Sequence, residues 1–79
     1  MSAETDSNIK TVYIPLVNEG TDVLRPTQAV LIGNAVYRIL PTPNYDPLDE
    51  TWTFPPGSLV HCDTETRNGK ELLVAKSLA

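Results

Sequence analysis

Apolar and polar residues alternate in short runs along this chain, and prolines and glycines separate the runs. In the first run, residues 10–17, Val12, Ile14 and Leu16 fall on one face of an extended strand, because successive side chains point to opposite sides. No window of ten residues keeps a helical period, so the pattern predicts an all-β domain. The seven prolines and four glycines mark the turns between the strands.

A two-residue turn is predicted between the second and third strands. Residues 23–32 and residues 35–40 are rich in apolar positions and are separated by Gly33-Asn34. A glycine at the first central position favours a type II′ turn, whose twist matches the strands that it joins. Pairing outward from this turn sets Leu31 opposite Val36. Both faces are apolar there, so we expect this hairpin to lie at the centre of the core.

A second hairpin is predicted towards the end of the sequence. Residues 58–65 and 71–76 form the fourth and fifth main strands, and Asn68-Gly69 between them favours a type I′ turn. This turn sets Arg67 opposite Lys70. Two like charges are tolerated in that position only at an exposed tip.

The segment between the hairpins is rich in proline and predicts a loop. Residues 41–50 contain three prolines, residues 51–54 form a brief strand, and Pro55-Pro56-Gly57 is a rigid corner. These features predict a small five-stranded antiparallel barrel of the Src-homology-3-like type, with an oligonucleotide-binding-type barrel as the alternative. We place a single small domain at residues 9–79, preceded by a disordered polar tail at residues 1–8.

Length and charge disfavour several classes of protein. The 79 residues suffice for one domain, and the single cysteine, Cys62, allows no intramolecular disulfide and fits a reducing cytosol. Ten acidic and six scattered basic residues give a net charge of −4, which disfavours binding to nucleic acid. The N-terminal residues lack a basic region, and no apolar run approaches the roughly 20 residues of a membrane helix. We therefore expect a cytoplasmic protein without membrane contact, either a monomer or a homodimer.

Four sequence elements together resemble a family of small, uncharacterised bacterial proteins. They are Glu19-Gly20-Thr21-Asp22-Val23, then Arg25-Pro26, then Tyr37-Arg38-Ile39-Leu40, then Trp52-x-Phe54-Pro55-Pro56-Gly57-Ser58-x-Val60-x-Cys62. The similarity spans residues 12–75, although Leu24 stands where the related proteins often have an aromatic residue. The resemblance implies a compact β-barrel in a bacterial cytosol, and it implies no activity.

The residues available for catalysis are few, and their positions argue against an enzyme. His61 and Cys62 are adjacent on a predicted strand, so their side chains point to opposite faces and cannot share a proton unless a bulge intervenes. Ser58 follows a glycine at a turn but lacks the Gly-x-Ser-x-Gly elbow of hydrolases. We therefore expect a non-catalytic protein.

Neither a metal ion nor an organic cofactor is predicted. His61 and Asp63 lie on one face of a strand, and the chain has no second histidine to extend a zinc site. Asp46, Asp49 and Glu50 lack the alternating spacing and central glycine of a calcium loop. The four glycines stand alone at separate turns, so the sequence has no phosphate-binding loop.

The best candidate for a contact surface is the segment from residue 45 to residue 54, which combines aromatic, acidic and proline residues. Rigid aromatic surface beside carboxylates suits an extended peptide that carries prolines or arginines. The predicted protein-binding residues are Tyr45, Asp46, Asp49, Glu50 and Trp52. The competing interpretation is that Trp52 and Phe54 share a face and cap the open end of the barrel as part of its core.

A second group of charged residues lies near the Gly20 turn. It consists of Glu19, Asp22 and Arg25. Turns favour such residues and exposed ion pairs contribute little to stability. We interpret the group as structural, with Arg25 pairing with an acid across the sheet.

Two functional hypotheses follow from the sequence. The first is a non-catalytic protein-interaction module of unknown partner that uses the aromatic and acidic loop as its contact surface. The second is an acidic decoy or inhibitor, of phage or mobile-element origin, that occupies a basic protein surface through long-range charge attraction. A net charge of −4 is small for a decoy, so the first hypothesis ranks above the second.

Overall fold

Six β-strands and no helix make up the described part of the chain, residues 8–17 and 23–79, in a computed structural model. The strands are β1 (Ile9–Val17), β2 (Leu24–Gly33), β3 (Val36–Ile39), β4 (Thr51–Trp52), β5 (Leu59–Arg67) and β6 (Lys70–Leu78). These residues accordingly include no helix with the length and apolarity needed to cross a bilayer. Most of the predicted tail, residues 1–7, and the Gly20 turn, residues 18–22, lie outside the described residues.

Five of the strands form a ring. Strands β2, β3, β5, β6 and β1 follow one another in the sheet, and β1 pairs again with β2, while the two-residue β4 adds to β1. Apart from β4, each strand therefore neighbours the next one along the chain, which differs from the Greek-key path of an oligonucleotide-binding-type barrel. The prediction of a small all-β fold with five main strands is confirmed. Its assignment to the Src-homology-3-like type stays a prediction.

One pairing in the ring differs from the predicted antiparallel arrangement. Strands β1 and β6 run parallel and meet in a single register pair, Tyr13 and Val74, whereas the other four ring pairings are antiparallel. The cause is the odd number of strands. Neighbours in a meander alternate in direction, so the first and fifth strands run the same way where they meet. A single bridge therefore completes the ring, and we describe it as a ring rather than a closed barrel.

The core lies inside the ring, and the face of β1 that carries Val12 and Ile14 belongs to it. Val12 and Ile14 have no exposed area, whereas Tyr13 between them is half-buried. The other members of the buried cluster are Ala29, Ile39, Trp52, Phe54, Val60 and Ala75. Full burial of a side chain the size of valine or isoleucine contributes about 1.5–3 kcal/mol, so this cluster is the main source of stability.

The first predicted hairpin turn is displaced by one residue, from Gly33-Asn34 to Asn34-Ala35. Ala35, rather than the glycine, has a positive φ, of 59°. A register shift follows on β2, and Leu31 lies opposite Tyr37, one residue beyond its predicted partner. A slip of one residue would turn the apolar side chains of one strand away from the core. This bulge keeps the apolar side chains of both strands facing inwards.

The second hairpin and the proline corner are confirmed. Asn68 and Gly69 have φ values of 51° and 79°, which is the pair of positive values that a type I′ turn requires. Arg67 lies opposite Lys70, as the turn predicts. Gly57 ends the corner with a φ of 92°.

Candidate functional site

The loop that joins β3 to β4 is held by hydrogen bonds from its own backbone N–H groups to Asp46. The carboxylate Oδ1 of Asp46 accepts a hydrogen bond from the N–H of Leu48 at 2.9 Å. The carbonyl oxygen of Asp46 accepts from the N–H groups of Asp49 and Glu50, at 2.9 and 3.1 Å. The first of these contacts is an Asx turn, a common reason for aspartate in a loop. Asp46 is exposed, but one of its carboxylate oxygens is already used to shape the loop.

Trp52 lies in the core, as the competing interpretation predicts. Trp52 is only 4% exposed, and Phe54 is 8% exposed. The ring of Tyr45 meets the indole edge-on, with centroids 4.7 Å apart and planes at 65°. Such an aromatic pair adds about 0.5–1.5 kcal/mol beyond its buried area. Trp52 therefore anchors the loop to the end of the ring and offers no open face to a partner.

Glu50 links this buried indole to the surface. Its Oε1 accepts a hydrogen bond from Trp52 Nε1 at 2.8 Å, and its Oε2 lies 2.5 Å from the guanidinium of Arg25. The Trp52 hydrogen bond first, and the Arg25 contact second, lower the pKa of Glu50 below its ordinary value of 4.5. Both oxygens of this carboxylate are thus engaged.

Arg25 pairs with an acid, but that acid does not lie across the sheet as predicted. Its partner Glu50 belongs to the loop and not to a facing strand. The Nε of Arg25 is buried and has no hydrogen-bond acceptor in the described residues. The other two members of the predicted charged group, Glu19 and Asp22, lie outside those residues.

A groove runs beside the loop, between β2 and the segment 41–44. It consists of two adjoining cavities of about 410 and about 390 Å³, which share Pro26, Thr42 and Pro43. The charged half is lined also by Arg25, Asn44, Asp49 and Glu50. The proline half is lined also by Thr11, Thr27, Gln28 and Pro41. Both volumes lie in the range of ordinary ligand pockets, roughly 300–1,000 Å³.

The pairing between β2 and the segment after β3 ends at Leu40, where the proline-containing segment 41–44 begins. The N–H of Leu40 donates to the carbonyl of Gln28 at 3.0 Å, and the hydroxyl of Thr27 donates to the carbonyl of Leu40 at 2.6 Å. Strand alternation places the backbone of Pro26 on the same edge as that of Gln28, where Pro26 has no N–H to donate. This edge of β2 is therefore poor in main-chain donors.

Asp49 provides the uncompensated charge of the groove. Arg25 and Glu50 form an ion pair with each other. The carboxylate of Asp49 is exposed and makes no hydrogen bond or ion pair within the described part of the chain. Among the described residues that line this half of the groove, two carboxylates against one guanidinium leave an excess of one negative charge.

The structure brings some of the predicted contact residues together and separates others. Asp49 and Glu50 line the groove, Tyr45 and Trp52 support the loop from the core side, and Asp46 shapes the loop. Sequence reasoning missed the opposite wall of the groove. The available signal was the proline in the second strand, since a proline inside a strand indicates an open edge.

His61 and Cys62 point to opposite faces of β5. His61 is exposed, whereas Cys62 is half-buried and packs against the core. The register does shift beside them, but the extra residue, Lys76, is on β6. Burial, and then the nearby charge of Asp63, raise the pKa of Cys62 to about 11. Among the described residues, no three His, Cys, Asp or Glu side chains are grouped to hold a metal ion.

Fold and site together define a small all-β protein with a two-part surface groove. A scan against protein-family models and searches of curated proteins and of solved structures found no match. The family resemblance of the sequence therefore stays a prediction.

Proposed function

We propose that this protein is a non-catalytic interaction module of a bacterial cytoplasm, and that the groove is its contact surface for a partner protein. The main support is a groove that joins an uncompensated carboxylate to a proline-lined wall. Recognition sites commonly combine mostly apolar walls with a few placed polar groups.

The groove is also held in place before any partner binds. Glu50 is bonded to the buried Trp52 on one side and to Arg25 on the other. The prolines have fixed φ values, so their segment has little backbone freedom to lose. A preorganised surface binds more tightly because less conformational entropy is lost on association.

The chemistry of the cysteine supports a non-catalytic role. A thiolate is the reactive form of cysteine, and the raised pKa of Cys62 keeps the thiol protonated near neutral pH. The exposed His61 lies on the other face of the strand, so it is not placed to remove that proton.

The acidic-decoy alternative has less support. Two of the glutamates are neutralised within the chain, since Glu50 pairs with Arg25 and Glu65 pairs with Arg67 and Lys76. These carboxylates are already engaged within the chain, so they are less available for direct ion pairs with a basic partner surface.

Capture of a partner by the tagged protein tests the proposal. In the variant Gln28→Arg, a long side chain enters the proline half from an exposed strand position. We expect this variant to lose the partner that the wild type captures from the cytosol of the producing organism. Thr66→Arg adds the same side chain at an exposed position of β5, outside the groove, and is expected to retain the partner.

Circular dichroism and urea unfolding establish that both variants are folded before capture is compared. Equal capture by the two variants would show that the groove is not the contact surface. Loss in Thr66→Arg alone would move the contact to the β5–β6 hairpin and would also overturn the proposal.

A further inference from the structure

We infer that the groove receives an extended segment of a partner protein in which a basic side chain pairs with Asp49 and a neighbouring proline lies along the proline half. This inference rests on the proposed function and narrows the partner to one chemical class. It follows from the charge of one half of the groove and from the backbone of the other.

Asp49, and not Glu50, is the carboxylate of the groove that is open to a basic ligand. Glu50 has one oxygen on Trp52 Nε1 and the other on Arg25, so it has little capacity for a further strong partner. Asp49 is exposed at the same end of the groove and has both oxygens available within the described residues. An arginine suits this position because its guanidinium can bond both oxygens of one carboxylate.

The walls of the proline half offer few main-chain donors to a bound segment. An added β-strand gains affinity from a ladder of main-chain hydrogen bonds. Pro26 on one wall, and Pro41 and Pro43 on the other, have no N–H to donate to such a ladder. A polyproline II segment needs no ladder, since it is bound through packing of its side chains and a few hydrogen bonds to its carbonyls.

The exposed polar residues of the proline half suit this second mode. Thr11 and Gln28 are neighbours across β1 and β2, and both are exposed at the groove. Their side chains can donate hydrogen bonds to the carbonyls of a bound segment. The groove therefore favours a short stretch that combines arginine with proline.

Nuclear magnetic resonance titration of the ¹⁵N-labelled protein tests the inference. The probes are the capped peptides Pro-Pro-Ala-Arg-Ala and Ala-Arg-Ala-Pro-Pro, which present the two residues in either order. Matched peptides replace arginine by glutamine, or both prolines by alanine, and capped arginine alone is a further probe. We expect shifts of amide signals from both halves of the groove, at Thr11, Gln28, Thr42, Asn44 and Asp49, with one of the two arginine–proline peptides.

The variants Asp49→Asn and Asp63→Asn separate the proposed contact from general charge. An exposed ion pair corresponds to roughly a two- to fivefold difference in affinity. Asp49→Asn should lower the affinity for the arginine peptide by that factor and leave the affinity for the glutamine peptide unchanged. Asp63→Asn removes an equal charge from β5, outside the groove, and should leave the affinity for both peptides unchanged.

Three results would overturn the inference. The first is equal affinity for the glutamine and arginine peptides. The second is that capped arginine alone shifts the amide signals of both halves as much as the arginine–proline peptide does. The third is that no peptide shifts the signals of the groove at about 1 mM. The capture experiment distinguishes this failure from failure of the proposed function. If Gln28→Arg loses the partner while no arginine–proline peptide binds, the interaction role stands and the chemical class is wrong.

Discussion

Trp52 and Glu50 together connect the hydrophobic core to the groove. Trp52 packs among buried side chains while its Nε1 reaches the carboxylate of Glu50. Glu50 in turn holds Arg25 at the surface. Stability and the shape of the contact surface therefore depend on the same pair of side chains.

Removal of the indole should have a large effect on stability. A buried aromatic residue replaced by alanine costs about 3–5 kcal/mol, and a small domain has only about 5–15 kcal/mol in total. We expect Trp52→Ala to lower the free energy of unfolding by about 3–5 kcal/mol, measured by urea titration. Leu48→Ala is the control, because Leu48 is 93% exposed and such changes stay within about 0.5 kcal/mol. A small effect of Trp52→Ala would contradict its place in the core.

The lowered pKa of Glu50 predicts how stability depends on pH. A carboxyl group whose pKa is lower in the folded state stabilises the fold above its unfolded value of 4.5, and this contribution disappears as the pH falls through the folded pKa. We expect the stability difference between wild type and Glu50→Gln to shrink as the pH decreases below 4.5. Urea midpoints measured across that range provide the test.

Arg25 supplies the matched variant for this experiment. The Arg25 contact is the second cause of the lowered pKa, after the Trp52 hydrogen bond. Arg25→Gln should therefore reduce the pH dependence but not abolish it. An unchanged pH dependence in Glu50→Gln would assign the effect to other carboxyl groups.

Single-residue roles could be predicted from the sequence only where they depend on near neighbours. The sequence allowed two interpretations of Trp52, as a core residue or as a contact residue. The choice between them depends on which side chains pack around the indole. The Arg25–Glu50 pair joins residues far apart in the chain, so only the tertiary fold brings them together. Sequence reasoning therefore identified Asp49 and Glu50 as acids of the contact surface but did not identify Arg25 as the partner of Glu50.

The two hairpins show the same limit at the level of elements. Asn68-Gly69 forms its turn as predicted, because both residues tolerate the positive φ that the turn requires. At the other hairpin, the register depends on a bulge that keeps the apolar faces inwards. Local turn preference favoured Gly33, and core packing moved the turn to Asn34-Ala35.

This displacement leaves glycine and alanine at unsuitable positions, which predicts stabilising substitutions. Ala35 has a φ of 59°, in a region that costs a residue with a Cβ about 1–2 kcal/mol. Ala35→Gly should remove much of this strain. Gly33 has no positive φ and open space where a Cβ would lie, so Gly33→Ala should add about 0.4–1 kcal/mol.

Gly69→Ala is the matched comparison for these two variants. Gly69 also has open space around it, but its φ is 79°. We expect this substitution to destabilise the protein by about 1 kcal/mol or more, in contrast to Gly33→Ala. Urea unfolding of the three variants gives the comparison, and equal effects of Gly33→Ala and Gly69→Ala would contradict the turn assignments.

At the scale of the whole molecule, one junction of the ring is closed by a single register pair. Strands β5 and β6 pair along most of their length, whereas β1 and β6 share one register pair. The number of strands could be predicted from the sequence, because each strand has its own apolar run. The parallel junction follows from that number together with ring closure, and closure depends on curvature that no single run determines.

Native-state hydrogen exchange should detect this junction. We expect amides around the Tyr13–Val74 bridge to exchange through a local opening with a low free energy and a weak dependence on denaturant. Amides paired between β5 and β6 at Cys62–Thr64 should exchange only near global unfolding. Equal protection at both places would contradict this expectation.

The hydrogen bond between the indole and Glu50 gives the protein an intrinsic optical probe. Trp52 is the only tryptophan in the chain, so all indole fluorescence comes from one place. A molecule that displaces the Glu50 carboxylate changes the surroundings of the indole N–H without unfolding the core. Emission from the unlabelled protein can therefore report any ligand that displaces Glu50 from the indole.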